Sequence, residues 1–197
     1  MKVTKYEDIN NLLDDLSVNI KKILNENLVG ICLTGSLSYG GFILDRSDID
    51  LTVVVHKPIS EKELELLKKM HLDIESKYSK WEKRVECQYI PLNMFKNIIP
   101  NELRRPYLGA GKFHPDALYG NECLINNYAL YKHGISLFGP EFKALIEPID
   151  IKDVQIASAR DLLKEWEIKI GDSKFFANGH YQSYLVLNLC RILYTVL

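Results

Sequence analysis

The sequence predicts an α+β fold followed by a small all-helical unit. Three observations carry that reading. Short apolar and β-branched runs, "LVGICL", "DIDLTVVVH" and "KRVECQYI", read as strands. Between them lie longer segments with one apolar face at helical spacing. After "IEPID" the texture changes, and only helical pattern remains.

The first helix is predicted over residues 5–26, where Ile9, Leu12, Leu13, Leu16, Ile20, Ile23 and Leu24 share a face. "LVGICL" at 28–33 is a short apolar run before a glycine and reads as a buried strand. "GSLSYGG" reads as a turn with a short helix, and "DIDLTVVVH" at 48–56 as a second strand that Pro58 ends. Ser60 and Glu63 have capping-box spacing, so a helix starts there. "KRVECQYI" at 83–90 alternates polar and apolar residues, as a half-buried strand does. Residues 97–123 carry prolines 100, 106 and 115 and glycines 109, 111 and 120. They predict a long irregular segment of the kind that often serves function. "NNYALYKHG" reads as a helix ending at Gly134, and "ISLFGP" as a strand closed by a Gly-Pro turn. Residues 151–170 and 181–197 read as two amphipathic helices. A boundary near Pro148 divides the chain into 1–147 and 148–197. The last helix ends on the apolar "LYTVL", which leaves an apolar face to be covered by further chain or by self-association.

Composition narrows the class. With 197 residues, 47% hydrophobic and 26% charged, the chain suits one moderate domain or two small ones. A net charge of -1 lacks the basic excess of a nucleic-acid binder. No apolar run is long enough for a bilayer, and "MKVTKYEDINNLLDDL" has no signal-peptide core, so a cytoplasmic protein without a membrane partner is expected. Cys32, Cys87, Cys123 and Cys190 form no C-x-x-C pair and read as small buried hydrophobes. The histidines lack H-E-x-x-H spacing. Trp81 and Trp166 read as packing residues.

The chemistry concentrates in "LTGSLSYGGFILDRSDIDLTVVV". Isolated carboxylates are costly to bury, yet two stand at the mouth of an apolar strand. Asp48 and Asp50 are two residues apart, so on a strand both point to one face while Ile49 and Leu51 enter the core. Two convergent carboxylates make a hard oxygen site suited to magnesium with phosphate oxygens. Gly35 has no Cβ to keep a phosphate from the backbone. Ser36 offers a hydroxyl at a helix start, and Ser47 a second one beside Asp48. In "KRVECQY", Arg84, Glu86 and Gln88 share a face, which brings Glu86 to the same cleft if this strand neighbours the aspartate strand.

This combination resembles the nucleotidyltransferase superfamily: Gly-Ser, a short helix, Asp-x-Asp on a strand, then an acid on a neighbouring strand. More closely, the chain is similar to the aminoglycoside adenylyltransferases of the streptomycin/spectinomycin type. "HGISLFGP" at 133–140 and "LVLNLCRIL" at 185–193 extend the likeness. It implies a mixed sheet of nucleotidyltransferase type with flanking helices, then an incomplete helical domain. It also implies ATP as co-substrate, magnesium on Asp48 and Asp50, Ser36 and Ser47 on the phosphates, and Glu86 as general base. Arg191 would reach the triphosphate. A small-molecule hydroxyl would be the acceptor, an aminoglycoside or aminocyclitol by preference. His114 and Asp116 are candidates to line the acceptor site. Tyr181 stands where the family has its drug-binding acid, and the family continues past this last helix. The competing readings are modification of a partner protein, which the appended helices argue against, and nucleotide binding without transfer, which the intact carboxylate set argues against.

Overall fold

The computed structural model describes residues 2–96, 103–120, 122–177 and 179–197, with the backbone alone at Lys96, Lys174 and His180. Six strands form one mixed sheet: β1 (Leu28–Thr34), β2 (Ile49–Val55), β3 (Val85–Pro91), β4 (Arg104–Gly109), β5 (Lys112–Leu118) and β6 (Ile135–Phe138). Their order across the sheet is β5-β4-β3-β2-β1-β6. Strands β2 and β3 are parallel and the other neighbours antiparallel. The parallel pair requires a crossover. It is supplied by α3 (Glu61–Lys77), which opens with the Ser60–Glu63 capping box.

One sheet face is the main core. Helix α1 (Glu7–Leu24) buries Ile9, Leu12, Leu13, Leu16, Ile20 and Leu24, its predicted stripe bar the half-buried Ile23. They pack with Leu67, Met70 and Ile74 of α3 against Ile49, Leu51, Val53 and Val55 of β2 and Val85, Cys87 and Tyr89 of β3. Each fully buried Leu or Ile contributes roughly 1.5–3 kcal/mol, so this face fixes the strand register. A one-residue slip would bury Asp50 and Glu86 in it.

The opposite face is only partly covered. Helices α2 (Gly35–Tyr39) and α4 (Glu122–His133) lie there. Cys32, Val54, Leu130 and Phe142 form one small cluster, and Ile90, Met94, Tyr119 and Cys123 another. The rest of that face is polar.

Past Pro148 come α5 (Ile151–Asp161), a π-helical turn (Leu162–Trp166), α6 (Glu167–Ile170), α7 (Ser173–Phe176) and α8 (Gly179–Val196). Asp150 caps α5 through Lys152 N–H at 3.0 Å. Helix α5 packs on both α4 and α8. Trp166, Leu185 and Ile192 form a core cluster of their own.

Two expectations are corrected. Within 97–123, residues 104–118 are not irregular: they form the β4–β5 hairpin, turning at Ala110 and Gly111, both with positive φ. Residues 97–102 and 121 lie outside the described residues. Cys190 is not buried; it sits on the exposed side of α8, while Cys32, Cys87 and Cys123 are buried.

Candidate active site

The polar face of the sheet is written by strand alternation. On β2, Asp50, Thr52 and Val54 point away from the main core; on β3, Glu86, Gln88 and Ile90 do. Parallel pairing sets Asp50 opposite Glu86 and Thr52 opposite Gln88. The polar pairs are at the start of both strands, and the apolar ones lie under α4. Asp48 precedes β2 and joins the same electrostatic cluster.

Burial, then the Glu86 carboxylate, then Asp48, push the Asp50 carboxyl up to about 7, and the Arg191 guanidinium opposes them. Glu86 is raised by burial and by Asp48, against a hydrogen bond from Tyr107 that favours its charged form. That bond runs from Tyr107 Oη to Glu86 Oε2, 2.8 Å. The phenol itself is raised by burial and by Glu86, so Tyr107 is a neutral donor.

Gly35 has a role beyond the predicted one. Its φ is +63°, and a Cβ built on it would lie 1.9 Å from Asp50 Oδ2. The missing side chain makes room for the aspartate itself. Ser36 is not the cap of α2: Thr34 holds that position, and the helix has only five residues. Ser47 shapes the preceding turn. Its Oγ accepts the Ile43 N–H at 2.9 Å, and its carbonyl accepts from Arg84 Nη2. Arg84, stacked over Trp81, thereby holds the loop that delivers Asp48 and Asp50.

These residues fit a divalent cation. The donor set is hard oxygen, Asp48 and Glu86 are within electrostatic reach of Asp50, and Gly35 leaves the Asp50 carboxylate its place. Among the described residues no group of three or more His, Cys, Asp or Glu has metal-holding geometry. Asp48 and Asp50 would hold such an ion together with phosphate oxygens, while Glu86 accepts from Tyr107.

A cleft of about 410 Å³ opens between α4, the π-helical turn and α8. Glu122, Asp161, Glu165, Trp166, Tyr184 and Arg191 line it. The π-helical turn, a device frequent at functional sites, aims Trp166 Nε1 at Asp161 Oδ2, 2.7 Å away. Ser158 also lines the cleft; it is 1% exposed, and its Oγ has no hydrogen-bond partner among the described residues. Tyr184 is within electrostatic reach of Arg191, Glu86 and Glu122, which ties the cleft to the carboxylates. Another hollow, of about 340 Å³ between α1 and α3, contains none of the candidate residues.

The structure thus brings together Asp48, Asp50, Glu86, Gly35 and Arg191. Tyr181 lies apart from the lining, stacked on Phe175 with ring centroids 5.0 Å apart. Asp116 is exposed and pairs with Arg104 at 3.5 Å. His114 stacks on Tyr107 at 6.3 Å, one ring away from Glu86. Sequence reasoning missed Tyr107, Arg105, Glu122, Asp161 and Tyr184. Arg105 is buried, donating to Gln88 Oε1 at 3.0 Å and to the Leu118 carbonyl at 2.9 Å. The available signal was two consecutive arginines in a Pro- and Gly-rich stretch, which read as loop.

Residues 18–106 match the family model of the nucleotidyltransferase domain. No match was found among curated proteins. Among solved structures, the chain is similar to spectinomycin adenyltransferase AAD(9) from Enterococcus faecialis, solved with ATP and spectinomycin. Identity is 19%, the match covers 94% of this chain and 75% of that one, and the TM-score is 0.69. That likeness carries the fold, and the family match carries the motif-bearing strands. The chain has the nucleotidyltransferase fold, and its residues 18–106 are those of a nucleotidyltransferase domain.

Proposed function

We propose that this chain transfers AMP from ATP to a hydroxyl of a small amine-bearing molecule, an aminocyclitol or aminoglycoside antibiotic, and releases pyrophosphate. The observation that carries the reading is the register pairing of Asp50 with Glu86, with Asp48 beside them and Arg191 facing them from α8. The acceptor oxygen attacks the α-phosphorus, and a new P–O bond forms. The bond from that phosphorus to the bridging oxygen breaks, and pyrophosphate leaves. Glu86 takes the acceptor's proton. Arg191 offers a planar fork to the phosphates. Ser47 Oγ already accepts from Ile43, so it offers a phosphate its proton. Asp48 and Asp50 would hold magnesium, which when bound neutralises phosphate charge and stabilises charge at the α-phosphorus.

The cleft supports the acceptor class. Its lining is of mixed charge: Arg191 is one cation, and Lys169 another that pairs with Glu165 at 3.8 Å and lies over the Trp166 ring, which leaves Glu122 and Asp161 as acids and Tyr184 as an aromatic face for an ammonium group. Here the acids are Glu122 of α4 and Asp161 at the α5 end, not a residue at the position of Tyr181. The relative AAD(9) was solved with spectinomycin, which makes that compound the first acceptor to try.

The test is incubation with ATP, magnesium and spectinomycin or streptomycin, read by mass spectrometry and by pyrophosphate release. A gain of one AMP on either compound is expected. Glu122→Gln should raise KM for the amine by about tenfold with a smaller effect on kcat, as lost ground-state binding does. Pyrophosphate release that no amine-bearing acceptor stimulates would overturn the acceptor class, and no release at all would overturn the transferase reading.

A further inference from the structure

The contact between Tyr107 and Glu86 joins two strands by their side chains alone. On the β3–β4 ladder Tyr107 is opposite Gln88 and Leu108 opposite Cys87, so Glu86 is a diagonal neighbour of Tyr107 on the polar face. A diagonal neighbour is within reach of an aromatic side chain, and the phenol closes the gap with a hydrogen bond of 2.8 Å to Glu86 Oε2.

Three features aim the ring. Gly109 is next but one on the same strand, and a Cβ there would lie 2.3 Å from Tyr107 Oη and 2.5 Å from two ring carbons. The phenol occupies the space that the glycine leaves. His114, across the β4–β5 ladder, stacks on the ring with an interplanar angle of 20°. The Arg105 guanidinium lies 5.3 Å from the ring centroid and is itself fixed by Gln88 and the Leu118 carbonyl. So the ring is set by its surroundings, and the single polar contact it makes with the candidate catalytic group is to one chosen oxygen.

We propose that Tyr107 is a positioning residue: by holding Glu86 Oε2 it fixes the carboxylate plane and presents Oε1 to the incoming acceptor hydroxyl. The inference rests on the transferase reading above and adds to it a role for a residue outside its Asp-x-Asp and Glu set. A carboxylate held by one donor has one oxygen committed and one lone-pair direction fixed. Without that donor it samples other rotamers, and misplacement of a reacting group by about 1 Å costs on the order of 10²-fold in rate.

The experiment compares Tyr107→Phe, Gly109→Ala and both together, in the wild-type and Glu86→Gln backgrounds. Tyr107→Phe keeps the ring, the His114 stack and the Arg105 contact. Gly109→Ala keeps the hydroxyl and displaces it. Turnover is read as AMP transfer to spectinomycin and as pyrophosphate release, and magnesium-ATP affinity by calorimetric titration. Each single variant should lower kcat by about 10- to 100-fold and leave magnesium-ATP affinity within about twofold, since only positioning of the acceptor's proton is lost. The double variant should be no slower than the slower single. In the Glu86→Gln background neither change should lower the residual rate further. Full turnover in Tyr107→Phe, or an equal fall in both backgrounds, would overturn the positioning role and leave the transferase reading intact. A wild-type protein that neither transfers AMP nor releases pyrophosphate would overturn the transferase reading, and this role with it.

Discussion

Asp50 and Glu86 are register partners on parallel strands, side by side on the polar face of the sheet. Neighbouring strands lie about 4.8 Å apart, so two carboxylates in this relation repel each other strongly at partial burial. The protein bears that repulsion because the pairing is dictated from the other face. Ile49, Leu51, Val85 and Cys87 are buried in the main core and leave the strands no other register. Local electrostatic cost at one face, enforced by packing at the other, marks Asp50 and Glu86 as candidates for cation binding or proton transfer.

Asp50→Asn should therefore have opposite effects on binding and on stability. It removes a carboxylate that burial, Glu86 and Asp48 all disfavour, so the metal-free protein should melt a few degrees higher at pH 8. Magnesium-dependent ATP affinity should fall by more than the ~10–100-fold typical of losing an outer-shell partner. Asp48→Asn should act likewise on affinity. Calorimetric titration and thermal melts without metal measure both effects. Unchanged magnesium-ATP affinity in the two variants would refute the metal assignment.

Gly35→Ala tests the room made for that aspartate. A Cβ at φ +63° is strained by itself and meets Asp50 Oδ2 at 1.9 Å. Stability should drop by about 1–3 kcal/mol from backbone strain alone, and magnesium-ATP binding should be lost as Asp50 is pushed aside. The contrast with Asp50→Asn is the informative part: the same binding defect, with the stability change reversed in sign. Chemical denaturation of the two variants side by side reads it.

How much of this was legible beforehand follows from which residues carry local signals. Strand β1 announces itself as an apolar run, β2 as a β-branched run and β3 by alternation, and the carboxylates stand out at the strand starts. The β4–β5 hairpin does not announce itself, because Pro106 and Pro115 break the pattern. The ladder accommodates them by shifting register between Arg105 and Tyr107, with Pro115 on an edge strand. Tyr107 and Arg105 were hidden with it. The cleft between α4, α5 and α8 was illegible for a different reason. Glu122, Asp161 and Tyr184 come from three separate helices, and only packing of α5 against α4 and α8 brings them together. No spacing in the sequence encodes that.

His71 provides a pH signature away from the site. It is 2% exposed in the main core, with Nε2 2.7 Å from Tyr89 Oη. Burial holds it down at about 4, against an ordinary value of 6.5. The folded state therefore keeps it neutral where the unfolded chain takes up a proton. Its contribution to stability is full above pH 6.5 and is lost as pH falls from there to about 4, a drop on the order of 3 kcal/mol. His71→Gln does not titrate and can still accept from Tyr89, so its denaturation midpoint should change less over that interval than the wild type's. Parallel curves would show that acid sensitivity originates elsewhere.

Glu86→Gln separates base from ligand. The change keeps the length of the side chain, the strand face and an acceptor for the Tyr107 hydroxyl, while removing the group that takes the proton. If Asp48 and Asp50 hold the metal and Glu86 serves the acceptor, magnesium-ATP should bind nearly as well as in the wild type. Turnover should fall by about 10²–10⁴-fold, the usual range for loss of a general base. Asp50 should respond too, because the Glu86 charge is the largest influence after burial that raises it. With a neutral amide across the ladder, its carboxyl should return toward the ordinary range, which carboxylate NMR of the metal-free protein would follow. Loss of ATP binding in the variant would instead make Glu86 a ligand of the metal. Full turnover would place the base on another residue facing the same polar sheet surface.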